Sequence, residues 1–138
     1  MITVTLDTNV LASGATASDS TIAQVIEAWF AGGFLVVLSP YILGELERVL
    51  LKPYFAERLS REAIADYTAA VLNYATVVSV AERVPRVAAH LEDDQVLATA
   101  AKGGADYLVT GDRDIQGLGQ YQGVAIVSPR DFLRILIE

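Results

Sequence analysis

The chain has 138 residues, the length of one domain that can bury a core without disulfides or a structural metal. Lys plus Arg number 10 and Asp plus Glu 17, and the net charge of −7 excludes holding nucleic acid by bulk positive charge. The absence of cysteine removes disulfide frameworks, thiolate zinc sites and thiol nucleophiles, and the single histidine, His90, leaves no multi-histidine site. With 53% hydrophobic residues the chain is too apolar to be disordered. No apolar stretch reaches the roughly 18 residues of a membrane span, and the start lacks the basic, apolar pattern of a signal peptide. A cytoplasmic protein without membrane association is expected.

Ile2 to Leu6 is short, apolar and β-branched, the pattern of a strand, and Asp7-Thr8-Asn9 ends it. Ser13 to Ser18 is a small-residue loop. Ile22, Val25, Ile26, Trp29 and Phe30 recur at helical spacing until Gly32-Gly33. Phe34 to Leu38 predicts a second buried strand, and Ser39-Pro40 opens a helix with apolar Ile42, Leu43, Leu46, Val49 and Leu50. Pro53 breaks that pattern, and Ser60 caps a helix carrying Ile64, Tyr67, Val71 and Tyr74. Thr76 to Val80 predicts a strand, Asp93 to Lys102 a helix closed by Gly103-Gly104, and Tyr107 to Val109 a strand ending at Thr110-Gly111-Asp112. Val124 to Val127 is a last strand, and Ser128-Pro129 caps a last helix. No repeat or linker divides residues 1–138, so one domain is expected. Strands alternating with helices predict an α/β layer fold with a mainly parallel sheet, its ligands at the carboxyl ends of the strands.

The acidic residues fall where that rule wants them. Asp7 follows the first strand, Asp93 and Asp94 open a helix, and Asp112 and Asp114 follow the strand at Tyr107. Glu45 lies in the second turn of the helix after Ser39-Pro40. Taken singly, each has an ordinary structural explanation, such as a favoured place on a helix dipole or in a turn. Glu45 and Glu47 both lie to the side of the buried helical face, and periodicity does not choose between them. Together they need another reason, because two carboxylates about 4 Å apart repel by roughly 4 kcal/mol at an effective dielectric near 20. Such a cluster raises its own pKa values or collects cations. Hard oxygen ligands suit Mg²⁺ or Mn²⁺, and metal-assisted phosphodiester hydrolysis is the chemistry best matched to this inventory.

At these residues the chain resembles the PIN-domain family, and within it the VapC-like toxins of toxin–antitoxin pairs. The matching segments are Leu6-Asp7-Thr8-Asn9-Val10, Leu38-Ser39-Pro40 with Glu45-Leu46, and Asp93-Asp94 leading to Leu97-Ala98. They continue with Gly104 to Asp114, the most specific part, and Ser128 to Leu133. The resemblance implies a three-layer α/β/α sandwich and a Mg²⁺- or Mn²⁺-dependent ribonuclease acting on single-stranded RNA. It implies Asp7, Glu45, Asp94 and Asp112 as the acidic catalytic and metal-binding quartet, which must converge at one place. The resemblance also implies Asp114 as an auxiliary acid, with Thr8, Asn9 and Thr110 supporting the carboxylates or a water. It chooses Glu45 over Glu47. Relatives often carry Asp-Pro-Asp-Asp where this chain has Leu91-Glu92-Asp93-Asp94. The spacing to Leu97-Ala98 favours Asp94 as the inner ligand, with Asp93 as a cap or outer group. A cognate antitoxin and a second copy of the chain are the implied partners.

Four of the ten basic residues, Arg48, Lys52, Arg58 and Arg61, share one short stretch. They are either a solvated helix face or an edge that meets RNA or a partner. Tyr54 and Phe55 beside them suit base stacking or core packing. Trp29 lies on an apolar stripe and belongs to the core, and His90 is a loop residue rather than a base. A non-catalytic scaffold binding RNA or protein is the competing reading. A phosphatase of the Asp-x-Asp type is disfavoured by Asn9, and a phosphorelay receiver by the lack of a lysine after a late strand. Seven acids belong to the expected site or its rim: Asp7, Glu45, Glu92, Asp93, Asp94, Asp112 and Asp114. Outside them the chain is balanced, with 10 acids against 10 bases.

Overall fold

The computed structural model describes residues 1–18, 20–81, 83–88 and 90–138. Its strands are β1 (Thr3–Leu6), β2 (Leu35–Leu38), β3 (Thr76–Val77), β4 (Tyr107–Val109), β5 (Gln120–Tyr121) and β6 (Val124–Val127). The helices are α1 (Thr8–Gly14), α2 (Thr21–Phe30), α3 (Pro40–Leu50), α4 (Pro53–Ala56), α5 (Arg61–Tyr74), α6 (Leu91–Lys102), α7 (Arg113–Gln116) and α8 (Pro129–Ile137). The sheet runs β3-β2-β1-β4-β6-β5, parallel throughout except for β5 against β6. The expected three-layer α/β/α fold with a mainly parallel sheet is the one observed.

The order places the site. From β1 the chain steps outward to β2 and then β3. It then returns across the sheet to β4 on the other side of β1. With right-handed crossovers, this reversal sends α6 to the opposite face from the earlier helices. It also makes the β1/β4 boundary the topological switch point, where a crevice opens beyond the strand ends. Asp7 and Asp112 follow the two strands that border it.

The core explains the strands. Val4, Leu6, Val36, Leu38, Leu108 and Val109 are buried on both faces of the sheet, as the unbroken apolar runs require. Phe132 from α8 meets Phe34 edge-on, with centroids 5.0 Å apart. Trp29 is buried, as expected, against Phe30. Ser20, Ser39, Ser60 and Ser128 each cap a helix, accepting the backbone N–H three residues on.

Several boundaries differ from the sequence pattern. The segment after Asp7 turns directly into α1, which runs to Gly14, so the small-residue loop starts later than expected. The strand at Thr76 stops at Val77, because both its residues are exposed at a sheet edge. Helix α6 starts at Leu91, two residues early, and this moves Asp93 from the cap into the first turn. Helices α1, α4 and α7 and strand β5 were not anticipated as separate elements.

Candidate active site

Asp7 ends β1 and caps α1. Its backbone N–H donates to Val109 at 2.9 Å, which ties the two switch-point strands together at this residue. Its side chain is buried, and Thr110 Oγ1 donates to Oδ2 at 2.7 Å. The same hydroxyl accepts the backbone N–H of Asp112 at 3.0 Å, so Thr110 fixes both acids. Burial raises the Asp7 carboxyl above its ordinary value; the Thr110 hydroxyl opposes the shift and the nearby Asp112 charge adds to it. Asp112 caps α7, its Oδ1 accepting from Asp114 at 2.8 Å and Ile115 at 3.4 Å. One of its oxygens is thereby committed to the loop.

Asp93 lies in the first turn of α6 and faces these two acids. Burial, then the charges of Asp112 and Asp7, push its carboxyl up to about 6. A cleft of about 190 Å³ is lined by Asp7, Asp93 and Asp112 with Glu45, and by Thr8 and Asn9 at the start of α1. Tyr41, Arg48 and Lys52 complete the α3 side. Glu45 is half-buried there, and Glu47 turns away to a groove between α3 and α5. Of the two, Glu45 is the one that lines this cleft. Arg48 holds Glu45 as a fork, Nη2 to Oε2 at 2.7 Å and Nε to Oε1 at 3.2 Å. That bond, aided by Arg48's and Lys52's charge, holds the Glu45 carboxyl below its ordinary value against the pull of burial.

Asp94 stands apart from the other expected acids. The expectation gave it the inner position, but it lies outside the cleft lining and its side chain is fully buried. Oδ1 accepts the backbone N–H groups of Val87 at 2.9 Å and Ala88 at 2.7 Å. Arg86 Nε stands 2.8 Å from Oδ2 as an ion pair rather than an aligned hydrogen bond. Burial alone would raise this carboxyl; the Ala88 and Val87 amides and Arg86 outweigh it and hold it low. Asp94 fastens the 86–88 segment to α6, and Asp93, one residue before, takes the place beside Asp7 and Asp112.

Of the remaining expected residues, Asp114 is exposed and lines a neighbouring hollow that it shares with Asp93, Val87 and Ala88. Arg58 lies off the cleft, with its guanidinium 3.8 Å over the Tyr54 ring and donating to the Tyr54 carbonyl. Arg61 is exposed at the start of α5. Tyr54 is exposed and Phe55 packs into the core edge. Sequence reasoning missed Tyr41, whose signal was its place one turn before Glu45; burial and the charges of Glu45 and Glu92 raise its phenol. It also missed the buried contact of Ser39 Oγ and Thr99 Oγ1, 2.8 Å apart, which fixes α3 against α6 and so Glu45's helix against Asp93's.

The donor chemistry suits a hard divalent cation: carboxylate oxygens from separate elements, mutually repelling, in one cleft. Among the described residues, no three acidic or histidine side chains stand together as a ready metal-holding group. The arrangement is an open cleft that Glu92 also lines, with Glu45 held by Arg48.

A family model for the PIN domain matches residues 3–114, and the chain belongs to that family. No curated protein sequence matches the chain. Among solved structures, PAE2754 from Pyrobaculum aerophilum superposes with a TM-score of 0.65 at 17% identity, covering 99% of this chain and 90% of that one. VapBC2 from Rickettsia felis, solved bound to a DNA fragment from its promoter, gives 0.63 at 11%, covering 92% and 98%. VapC20 from Mycobacterium tuberculosis, described as a sarcin–ricin loop cleaving toxin, gives 0.60 at 19%, covering 86% and 97%. At these identities the likeness is one of fold.

Proposed function

We propose that the chain is a metal-dependent endoribonuclease and the toxin of a toxin–antitoxin pair. The observation that carries this is the convergence of Asp7, Asp93 and Asp112, from three separate elements, on one cleft at the switch point. PIN-family membership and a fold shared with VapC20, described as a sarcin–ricin loop cleaving toxin, support the same reading. These three acids, with Glu45 on the opposite wall, would hold the cation. Mg²⁺ or Mn²⁺ when bound supplies polarisation of a phosphoryl oxygen and an activated water. The chain's own part is positioning: Thr110 locks Asp7 and the Asp112 loop, Thr8 and Asn9 line the lip, and Asp114 adds charge at the rim. Lys52 and Arg48 offer the cations that a negatively charged chain otherwise lacks for phosphate.

Purified protein should cleave RNA only with Mg²⁺ or Mn²⁺, and Asp7→Asn or Asp93→Asn should lower the rate by about 10²-fold or more. Folded protein that cleaves no RNA with either metal, across varied substrates, overturns the proposal. The second reading is a PIN scaffold that binds RNA or a protein without catalysis. The absence of a ready metal group among the described residues and the engaged state of Glu45 favour it. An unchanged Tm at millimolar metal would support the scaffold.

The partners of the leading reading are an antitoxin protein and a second copy of the chain. Exposed Leu51 and Leu72 on the α3/α5 groove support a protein contact there. Co-purification with the product of an adjacent short reading frame, and a dimer mass by light scattering, are expected. Failure of either removes that partner. Among the described residues no helix is long and apolar enough to cross a membrane, and a cytoplasmic location belongs to the same proposal.

A further inference from the structure

Arg48 is the cation that the structure places on Glu45. Its fork rests on both oxygens of Glu45, and the two residues line the same cleft as Asp7, Asp93 and Asp112. The pair is near solvent, with side-chain exposures of 58% for Arg48 and 25% for Glu45, so it is readily exchanged. A guanidinium fork fits a phosphate as well as it fits a carboxylate. Lys52, on the same wall, adds a second cation. An RNA phosphate entering this cleft meets carboxylates and requires positive charge beside it. A metal ion entering requires Glu45, which Arg48 already holds.

We infer that Arg48 has two stations: on Glu45 in the empty cleft, and on a phosphate of the RNA strand once a divalent cation takes its place at Glu45. The inference rests on the nuclease reading and makes Arg48 a positioning residue for the substrate. The two ligands are then coupled. Metal releases Arg48 to RNA, and RNA draws Arg48 from the metal's ligand, each raising the other's affinity by the same factor. The free protein carries a built-in competitor for its own metal.

The test is a binding cycle on the intact chain, with Arg48→Ala, and with Arg134→Ala as an equal loss of charge on α8. Calorimetry with Mn²⁺ alone should show Arg48→Ala binding the metal about fivefold or more tightly than wild type, with Arg134→Ala unchanged. Anisotropy of a labelled single-stranded RNA should show wild type gaining affinity when Ca²⁺ is added, with strand integrity checked on a gel. Arg48→Ala should lose most of that gain, and the salt slope measured with Ca²⁺ should fall by about 0.7. Equal effects of Arg48→Ala and Arg134→Ala would reduce Arg48 to bulk charge and overturn the inference. So would a wild type that binds metal and RNA with no change on Arg48→Ala; in that case the nuclease reading survives. A folded wild type that binds no Mn²⁺ removes both.

Discussion

Thr110 is the residue on which the cleft turns. One buried hydroxyl donates to Asp7 and accepts from the backbone of Asp112, so a single side chain sets two acids. Thr110→Val keeps the shape and deletes both bonds. Metal affinity and RNA cleavage should fall about 10–100-fold, measured by Mn²⁺ titration and steady-state rates. Retained affinity would mean the acids hold their places without it. The neighbouring acids divide their work in a way the sequence did not show. Asp94 is a structural clamp, and Asp94→Ala should cost about 2 kcal/mol in urea unfolding by stranding the Val87 and Ala88 amides. A fully stable Asp94→Ala that has lost only metal binding would restore it as the inner ligand. Asp7, Asp112 and Glu45 stood out in the sequence because the first two follow strand ends and the third follows a helix cap, and all three line the cleft. The sequence favoured Asp94 over Asp93, whereas Asp93 lines the cleft, because which acid faces it depends on where α6 begins. His90, the cap, offers no side-chain bond to mark that start.

At the scale of elements, the cleft depends on helices held at fixed distances. Tyr67 from α5 donates to the Leu11 carbonyl at 2.6 Å, and burial keeps its phenol well above its usual range, so it remains a donor. A Cβ on Gly14 would stand 2.7 Å from that hydroxyl and 2.7 Å from Ile26 Cγ1. Gly14→Ala should therefore destabilise the protein by about 1–3 kcal/mol, read from the denaturation midpoint. A neutral result would show that α1, α2 and α5 can separate. Apolar residues at helical spacing made α2 and α5 readable in advance, and Ser-Pro caps did the same for α3 and α8. Helix α1 was missed because Thr8 to Gly14 is too short for a periodic stripe and follows β1 after the single residue Asp7. Helix α7 and strand β5 are shorter still, and tertiary contacts rather than local pattern create them.

Over the whole molecule, the pH behaviour follows from the acids that line one cleft, Asp93 foremost. Asp93 rises from an ordinary value of 3.8 to about 6 on folding. Between those values the unfolded chain releases its proton first, so metal-free stability falls as pH rises through that window and levels off above it. Metal needs the ionised form, so stabilisation by metal should grow over the same window. Melting curves with and without Mn²⁺ should show a larger Tm shift at pH 7.5 than at pH 5, and Asp93→Asn should abolish the difference. A pH-independent shift would place the metal elsewhere. Whether Asp7, Asp93 and Asp112 hold a catalytic cation is read most directly by anomalous diffraction from crystals grown with Mn²⁺. A Mn²⁺ peak bounded by those three carboxylates is expected, with Asp94 still on the Val87 and Ala88 amides. An empty cleft at saturating Mn²⁺, or a peak ligated by Asp94 in place of Asp93, would contradict it.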